Sequence, residues 1–240
     1  MKYFIILILG TFLFGSCNIL DQKRVKGNGK IASKTFDYKY FSSIDAGNDM
    51  DIFLKQADRH GIRIETDENL LPYFTLRLDT DNNLEIATAA NTHLDPTGNI
   101  KVYVTAPSLD KIDISGAAQL QTEGKFVQDK PIKLELSGAS SAQVSLKAPV
   151  IDLDASGAST LTANGECRDI KTDASGASTI NAFNLLAENA DAEASGASTV
   201  RIFSSIQLKA NANGASSIKY KGNPNVTSDA SGASSITREN

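Results

Sequence analysis

The sequence predicts an all-β protein, a parallel β-solenoid with coils of 18 to 22 residues. Three observations carry that expectation. A short phrase recurs seven times: SGAA at Ser115, SGAS at Ser137, Ser156, Ser175 and Ser195, NGAS at Asn213, and SGAS at Ser231. Its glycines, from Gly116 to Gly232, are spaced by 22, 19, 19, 20, 18 and 18 residues. A period this short and regular marks coils that bury their apolar faces only against their neighbours. The apolar residues also keep fixed offsets from the glycine, and no convincing amphipathic helix occurs anywhere in the chain.

The repeats occupy residues 109–240. Four residues after each glycine stand Leu120, Ala142, Leu161, Ile180, Val200, Ile218 and Ile236. Two before it stand Ile114, Leu136, Ala155, Ala174, Ala194, Ala212 and Ala230, and four before it a column runs from Ile112 to Ser228. Even offsets share one face of an extended chain, so these columns point inward. The face narrows from Ile and Leu to Ala and Ser toward the C-terminus. The glycine answers to one of two needs: a close approach of another coil, or positive φ at a corner. Seven coils at about 4.8 Å each make a rod of roughly 34 Å. A disordered Ser/Ala/Gly tail shares this composition, but it would not hold aliphatic residues at one offset.

Residues 36–108 read as an N-terminal β-rich part of the same domain. Met50–Leu54 and Ile62–Thr66 are strand-like, the latter alternating apolar and polar. Leu76–Leu78 and Leu84–Ile86 flank Asp81-Asn82-Asn83 and read as a hairpin. Val102-Tyr103-Val104 leads to an exit at Ala106-Pro107. Glu68–Tyr73 has room for a helical turn, limited by Pro72.

Before the fold comes a targeting segment. Lys2 is followed by an apolar run, Tyr3–Phe14, too short to span a bilayer comfortably. Gly15-Ser16-Cys17 then resembles a lipoprotein processing site, which makes residues 1–16 a signal peptide and Cys17 the lipidated first residue of the mature chain. An ordinary secretory peptide with an incidental cysteine is the alternative. Residues 17–35, polar and rich in Lys and Gly, read as a tether. With Cys17 acylated, Cys167 has no disulfide partner and reads as a structural thiol. Net charge is −4 with no strongly basic stretch, which argues against nucleic acid as a partner.

Four ordered segments carry a family likeness: Ile44-Asp45-Ala46-Gly47 leading into Met50–Leu54, Glu65–Tyr73, Lys101–Pro107, and the SGAS ladder. Over residues 36 to 240 the chain resembles the auto-transporter adhesin head GIN domain family, a domain of unknown function found in lipoproteins of Bacteroidetes-type bacteria. The resemblance implies a single-stranded right-handed parallel β-helix. It brings no catalytic residue, so none is transferred.

Three residues before each glycine stand Asp113, Glu135, Asp154, Asp173, Glu193, Asn211 and Asp229. This odd-offset column faces outward. Parallel stacking brings its carboxylates within about 5 Å of one another, where each pair repels by about 1 kcal/mol in water. Hydroxyl columns flank it, at Ser115 to Ser231 on one side and at positions such as Ser141, Thr160 and Thr179 on the other. Two explanations stay open. The column is a solvated charged face that keeps the rod soluble, or it is a binding face for a glycan or, less readily, for hard cations such as Ca2+. The GGxGxD phrase of calcium-binding β-helices is absent from the sequence. An enzyme acting on acidic polysaccharides would break the repeat with a loop, and no interval exceeds 22 residues. The expectation is a non-catalytic binding or adhesion module without cofactor or metal, lipid-anchored in the cell envelope at the outer membrane, with a glycan or other envelope component as partner. A purely structural envelope rod is the alternative, and an enzyme the more distant one. The chain end, Thr237-Arg238-Glu239-Asn240, carries charges that blunt an open edge, so a monomer is expected.

Overall fold

The structure, a computed structural model, describes residues 23–239. They form a parallel β-solenoid without α-helix among the described residues. Cys17 and the apolar segment before it lie outside the described residues.

The N-terminal third contains β1 (Lys23–Lys26), β2 (Ile31–Asp37), β3 (Ser43–Ala46), β4 (Met50–Gln56), β5 (Gly61–Asp67), β6 (Phe74–Leu78), β7 (Asn83–Thr88), β8 (Thr92–Asp95) and β9 (Ile100–Ala106). A single 3-10 turn, Leu71–Tyr73, stands where the sequence allowed one. The repeats supply β10 (Lys111–Ile114), β11 (Gln119–Thr122), β12 (Phe126–Val127), β13 (Ile132–Leu136), β14 (Ser141–Ala155), β15 (Thr160–Ala174), β16 (Thr179–Ala194), β17 (Thr199–Phe203), β18 (Gln207–Ala212), β19 (Ser217–Lys221), β20 (Asn225–Ala230) and β21 (Ser235–Arg238).

Two ladders run the length of the molecule. The first, here the acidic sheet, stacks β6, β7, β3, β10, β13, the second halves of β14 to β16, β18 and β20. The second, the amide sheet, stacks β2, β5, β9, β4, β11, the first halves of β14 to β16, β17, β19 and β21. Strands β14 to β16 pass from one sheet to the other without a break.

Stack order departs from chain order at the N-terminal end. The coil of β3 and β4 lies against that of β10 and β11, as if it were the preceding repeat, although Asn48 and Gly116 are far apart in sequence. The intervening chain forms a further coil, β7 and β9, on the other side of β3 and β4. Antiparallel β6 and β2–β5 then edge the stack. The ordered fold also starts earlier than the sequence suggested. Much of the stretch read as tether is strand, with β1 paired to β8 and β2 to β5. Asp67 holds this segment down. It is fully buried and accepts bonds from the N–H of Gly29 at 2.6 Å, the N–H of Thr97 at 2.9 Å and the hydroxyl of Thr97 at 2.8 Å. Burial alone would raise its pKa, but these donors outweigh it and hold the carboxyl below its ordinary value.

The inward columns are the core. Ile112, Ile114, Leu134, Leu136 and Leu153 are buried, as are Ala192, Ala194, Ala210 and Ala212 beyond them. Within the repeats, inward positions open only in the last coil, with Val226 at 40% exposure, because no coil among the described residues covers them. Two residues after the glycine a column the sequence did not flag is also buried: Ser140, Ser159, Ser178, Ser198 and Ser216. Ser178 donates to the carbonyl of Ala155 at 2.9 Å, Ser198 to Ala174 at 2.9 Å and Ser216 to Ala194 at 3.0 Å. Each hydroxyl thus ties a corner to the coil before it. Ser159 is the exception, since its Oγ has no partner.

The glycine meets both needs at once. Gly176 has φ +71°, and a Cβ there would stand 2.7 Å from the carbonyl oxygen of Gly157. The repeats from Gly138 to Gly232 show the same geometry. In the coil before that of Gly116, Asn48, with φ +64°, takes the glycine's place.

Gly176→Val is expected to cost about 2–4 kcal/mol, from strain and close contact together. Gly98→Ala, with nothing within 4 Å of the added carbon, should leave thermal unfolding unchanged. Ser178→Ala should cost about 1 kcal/mol for its lost bond, while Ser159→Ala should cost nothing. Equal losses at the two serines would show that the bond to Ala155 is not what matters.

Candidate functional site

The outward residues of the acidic sheet form a column that parallel pairing keeps in register: Glu85, Asp45, Asp113, Glu135, Asp154, Asp173, Glu193, Asn211 and Asp229. The six carboxylates expected from the repeats all face outward, half-exposed or exposed. Glu85 and Asp45, in the coils that chain order conceals, extend the column.

The column is not a simple line of repelling charges. Two residues before the acidic position a second column carries Lys111, Lys133, Lys171 and Lys209, interrupted by Asp152 and Asp191. Lys111 lies 3.1 Å from Asp113 and 2.6 Å from Glu135, and Lys133 lies 2.8 Å from both Glu135 and Asp154. Burial tends to raise the pKa of Glu135, but the bonds from Lys111 and Lys133 outweigh it and hold it at about 2. The expected repulsion is therefore cancelled over these coils. It survives further along, where Asp152 and Asp173 have raised pKa values, first from burial and then from neighbouring carboxylates, Asp154 in both cases. Among the described residues no group of three His, Cys, Asp or Glu side chains is placed to hold a metal ion.

The amide sheet has a different outer surface. One row runs in register through Thr35, Arg63, Tyr103, Phe53, Gln121, Gln143, Thr162, Asn181, Arg201 and Lys219. At its head Arg63 stacks on Tyr103, with Cζ 3.8 Å from the ring centroid, and Tyr103 stacks on Phe53 at 5.0 Å. Glu65 fixes Arg63 through a 2.9 Å ion pair. Between Phe53 and Asn181 the row bears no charge. A shallow groove of about 280 Å3 follows it across four coils, lined by Phe53, Gln121, Gln143, Thr162 and the adjoining Gln119 and Ser141, with one carboxylate, Asp51, which accepts a 2.6 Å bond from the Asn99 amide. A second depression of about 490 Å3 meets it at Phe53 and is lined by Tyr103, Arg63 and His60. This row is not marked in the sequence, because its residue types vary from coil to coil while the acidic column repeats.

Cys167 is half-buried. Burial, and then Asp169, push its thiol up to about 12, which makes it a poor nucleophile.

Charge on the acidic sheet sets two opposite pH dependences. The folded pKa of Glu135 lies below its unfolded value of about 4.3, so its stabilising contribution is present above that value and lost as pH falls through about 2. Lys133→Met should shrink the acid-dependent loss of stability across that window. Asp173 has a raised folded pKa, so its ionised form destabilises. Asp173→Asn should raise the melting temperature at neutral pH and low salt, with the gain fading as pH falls through the folded pKa of Asp173. Thermal unfolding against pH at low ionic strength reads both effects.

Residues 40–224 match the family model described as "Putative auto-transporter adhesin, head GIN domain". Solved structures share the fold. A "putative adhesin" from Bacteroides fragilis NCTC 9343 is 21% identical and superposes with a TM-score of 0.83 over 90% of this chain and 100% of that one. A "putative adhesin" from Parabacteroides distasonis ATCC 8503 is 24% identical, with a TM-score of 0.70 over 90% and 100% of the two chains. A "putative lipid binding protein" from the same strain is 18% identical, with a TM-score of 0.64 over 91% and 100%. No curated protein matches the sequence. With the model spanning most of the chain and the glycine-cornered solenoid present in full, this protein belongs to the auto-transporter adhesin head GIN domain family.

Proposed function

We propose that this protein is a lipid-anchored, extracytoplasmic binding module without catalytic activity, and that the amide sheet takes an extended, uncharged glycan of the cell envelope. The observation that carries the reading is the row from Phe53 through Gln121, Gln143 and Thr162 to Asn181. Its members recur at the spacing of the coils, about 4.8 Å, so an extended polymer meets an uncharged polar side chain at each coil from Gln121 to Asn181. Amides and hydroxyls offer donors and acceptors together, and a neutral row favours a neutral ligand. The adhesin-like relatives support a place in the envelope or at the surface. The Gly15-Ser16-Cys17 site supports an anchor at Cys17, with the outer membrane as its membrane.

The acidic sheet offers a competing surface, and its lysine-bridged portion favours a merely structural role there. Binding of the full-length protein to neutral polysaccharide prepared from envelopes separates these readings. Gln121→Ala/Gln143→Ala should weaken binding at least about tenfold, since two lost polar contacts are each of order 1 kcal/mol, with thermal unfolding unchanged. Binding that survives this change but is lost in Asp154→Asn/Asp173→Asn would transfer the site to the acidic column. Separately, Cys17→Ser should abolish metabolic labelling with palmitate, and unchanged labelling would refute the anchor.

A further inference from the structure

The charge of the chain is unevenly placed. Net charge is −4, yet residues 23–34 carry Lys23, Arg24, Lys26, Lys30 and Lys34 with no carboxylate among them. All five are exposed. They sit on β1 and β2, at the end of the solenoid where the chain enters. β2 is an outermost strand of the amide sheet there, and β6 is the outermost strand of the acidic sheet.

This segment is held, not loose. Asn69 accepts from the N–H of Asn28 at 2.9 Å and donates to the carbonyl of Lys26 at 2.8 Å, beside the Asp67 bonds to Gly29 and Thr97. The backbone is thereby fixed while the lysine side chains stay exposed, those of Lys23 and Lys34 lying over the Tyr73 and Phe36 rings at 5.0 and 4.8 Å. Arg24 pairs with Asp95 at 3.6 Å, and Lys23 reaches the Tyr73 hydroxyl at 3.1 Å. Lys26, Lys30 and Lys34 make no ion pair with a described residue; the ion pairs at this end are those of Arg24, Arg63 and Lys101. Apolar side chains are exposed at the same end: Ile31 on β2 at 57%, Leu78 on β6 at 42%, and Tyr40 between β2 and β3 at 48%. Among carboxylates, Asp95 stands opposite Lys26 and Glu65 opposite Ser33, with Asp37, Glu68, Asp79 and Asp81 in the adjoining segments. Asp79 is engaged by the N–H groups of Asp81 and Asn83 at 2.9 and 2.8 Å.

We propose that this end of the solenoid is a docking surface for an anionic lipid bilayer, with the lysines of β1 and β2 on the headgroup phosphates and Ile31 and Tyr40 at the interface. The proposal rests on the anchor reading. Cys17 precedes Lys23 by six residues, which span at most about 21 Å when extended. An acylated Cys17 therefore keeps this end close to the membrane. The acylated cysteine supplies the attachment, and the basic patch sets which part of the rod meets the headgroups. Docking would stand the rod on its N-terminal end, with β20 and β21 farthest from the bilayer and the stretch of the amide row from Gln121 to Asn181 open to a ligand. The competing role for these lysines is to keep β2 from pairing with another chain, which requires no membrane.

The test uses the full-length acylated protein in vesicles of phosphatidylcholine alone or with phosphatidylglycerol. A fluorophore is carried on cysteine introduced at Ser33, on β2, or at Thr237, at the far end, and is quenched by headgroup-labelled lipid. Cys167, half-buried and with its thiol pushed up to about 12, stays largely unlabelled. With phosphatidylglycerol present, the Ser33 position should be quenched at least about threefold more than Thr237, and the contrast should fall in phosphatidylcholine alone. K23E/K26E/K30E and the milder K23Q/K26Q/K30Q should remove the contrast while the protein still floats with the vesicles and unfolds at the parent temperature. A protein that floats but shows no dependence on lipid charge or on these lysines overturns the docking. A protein that fails to float on either vesicle overturns the anchor, and the docking with it.

Discussion

Every coil from β3–β4 onward turns through the same corner, and the corner is where backbone meets backbone. Ser175 N–H donates to the carbonyl of Ala155 at 2.9 Å, Ala177 N–H to Gly157 at 2.8 Å, and Thr179 N–H to Ser159 at 2.9 Å. The same alternation holds from Ala117, which bonds to Asn48, to Ala233, which bonds to Gly214. The parallel ladder therefore continues around the bend, leaving few buried backbone groups unpaired. That continuity demands positive φ and no Cβ at one position. It also sets the register of both sheets, because a slip of one residue would carry a side chain into the carbonyl of the coil before it.

Other features follow from this constraint. Registered coils align like residues into columns, so the two outer surfaces acquire distinct chemistry from one short repeat. The acidic sheet gathers carboxylates and balances some of them with lysines two residues earlier. The amide sheet carries an uncharged row headed by an aromatic stack. Inside, the column that begins with Ile and Leu ends with Ala and Ser. Each fully buried Leu or Ile contributes about 1.5–3 kcal/mol, so the first coils are the more strongly held. The exposed last coil then presents mostly small residues at its open end, where Lys219 pairs with Glu239 at 3.5 Å and the N–H of Glu239 bonds to the carbonyl of Tyr220.

Much of this was legible because repetition averages out local ambiguity. The inward columns at Leu161, Ala174 and their equivalents were readable from offset alone, as was the hairpin around Asn82. The N-terminal coils were harder. Ile44-Asp45-Ala46 does align with Ile112-Asp113-Ile114, but Asn48 stands in the place of the corner glycine, and chain order gives no hint that β7 and β9 lie outside β3 and β4. The buried serines were missed because serine is usually a surface residue, and only the carbonyl beside each one explains its place. The lysine column was missed because Asp152 and Asp191 interrupt it. The amide row was missed for a deeper reason. Position along the solenoid, not residue type, is what its members share, and four of them come from the segment whose stacking is out of order.

The central claim is that the corner is a continuation of the ladder and not a loop joining its rungs. Native-state hydrogen exchange at the corner amides of Ala139, Ala158, Ala177, Ala197 and Ala215 tests it directly. The account predicts protection comparable to that of the flanking strand amides, such as Leu161 and Ile180, and release with them in the same cooperative openings. Corner amides that exchange as freely as those of exposed turns, while the strands stay protected, would contradict it.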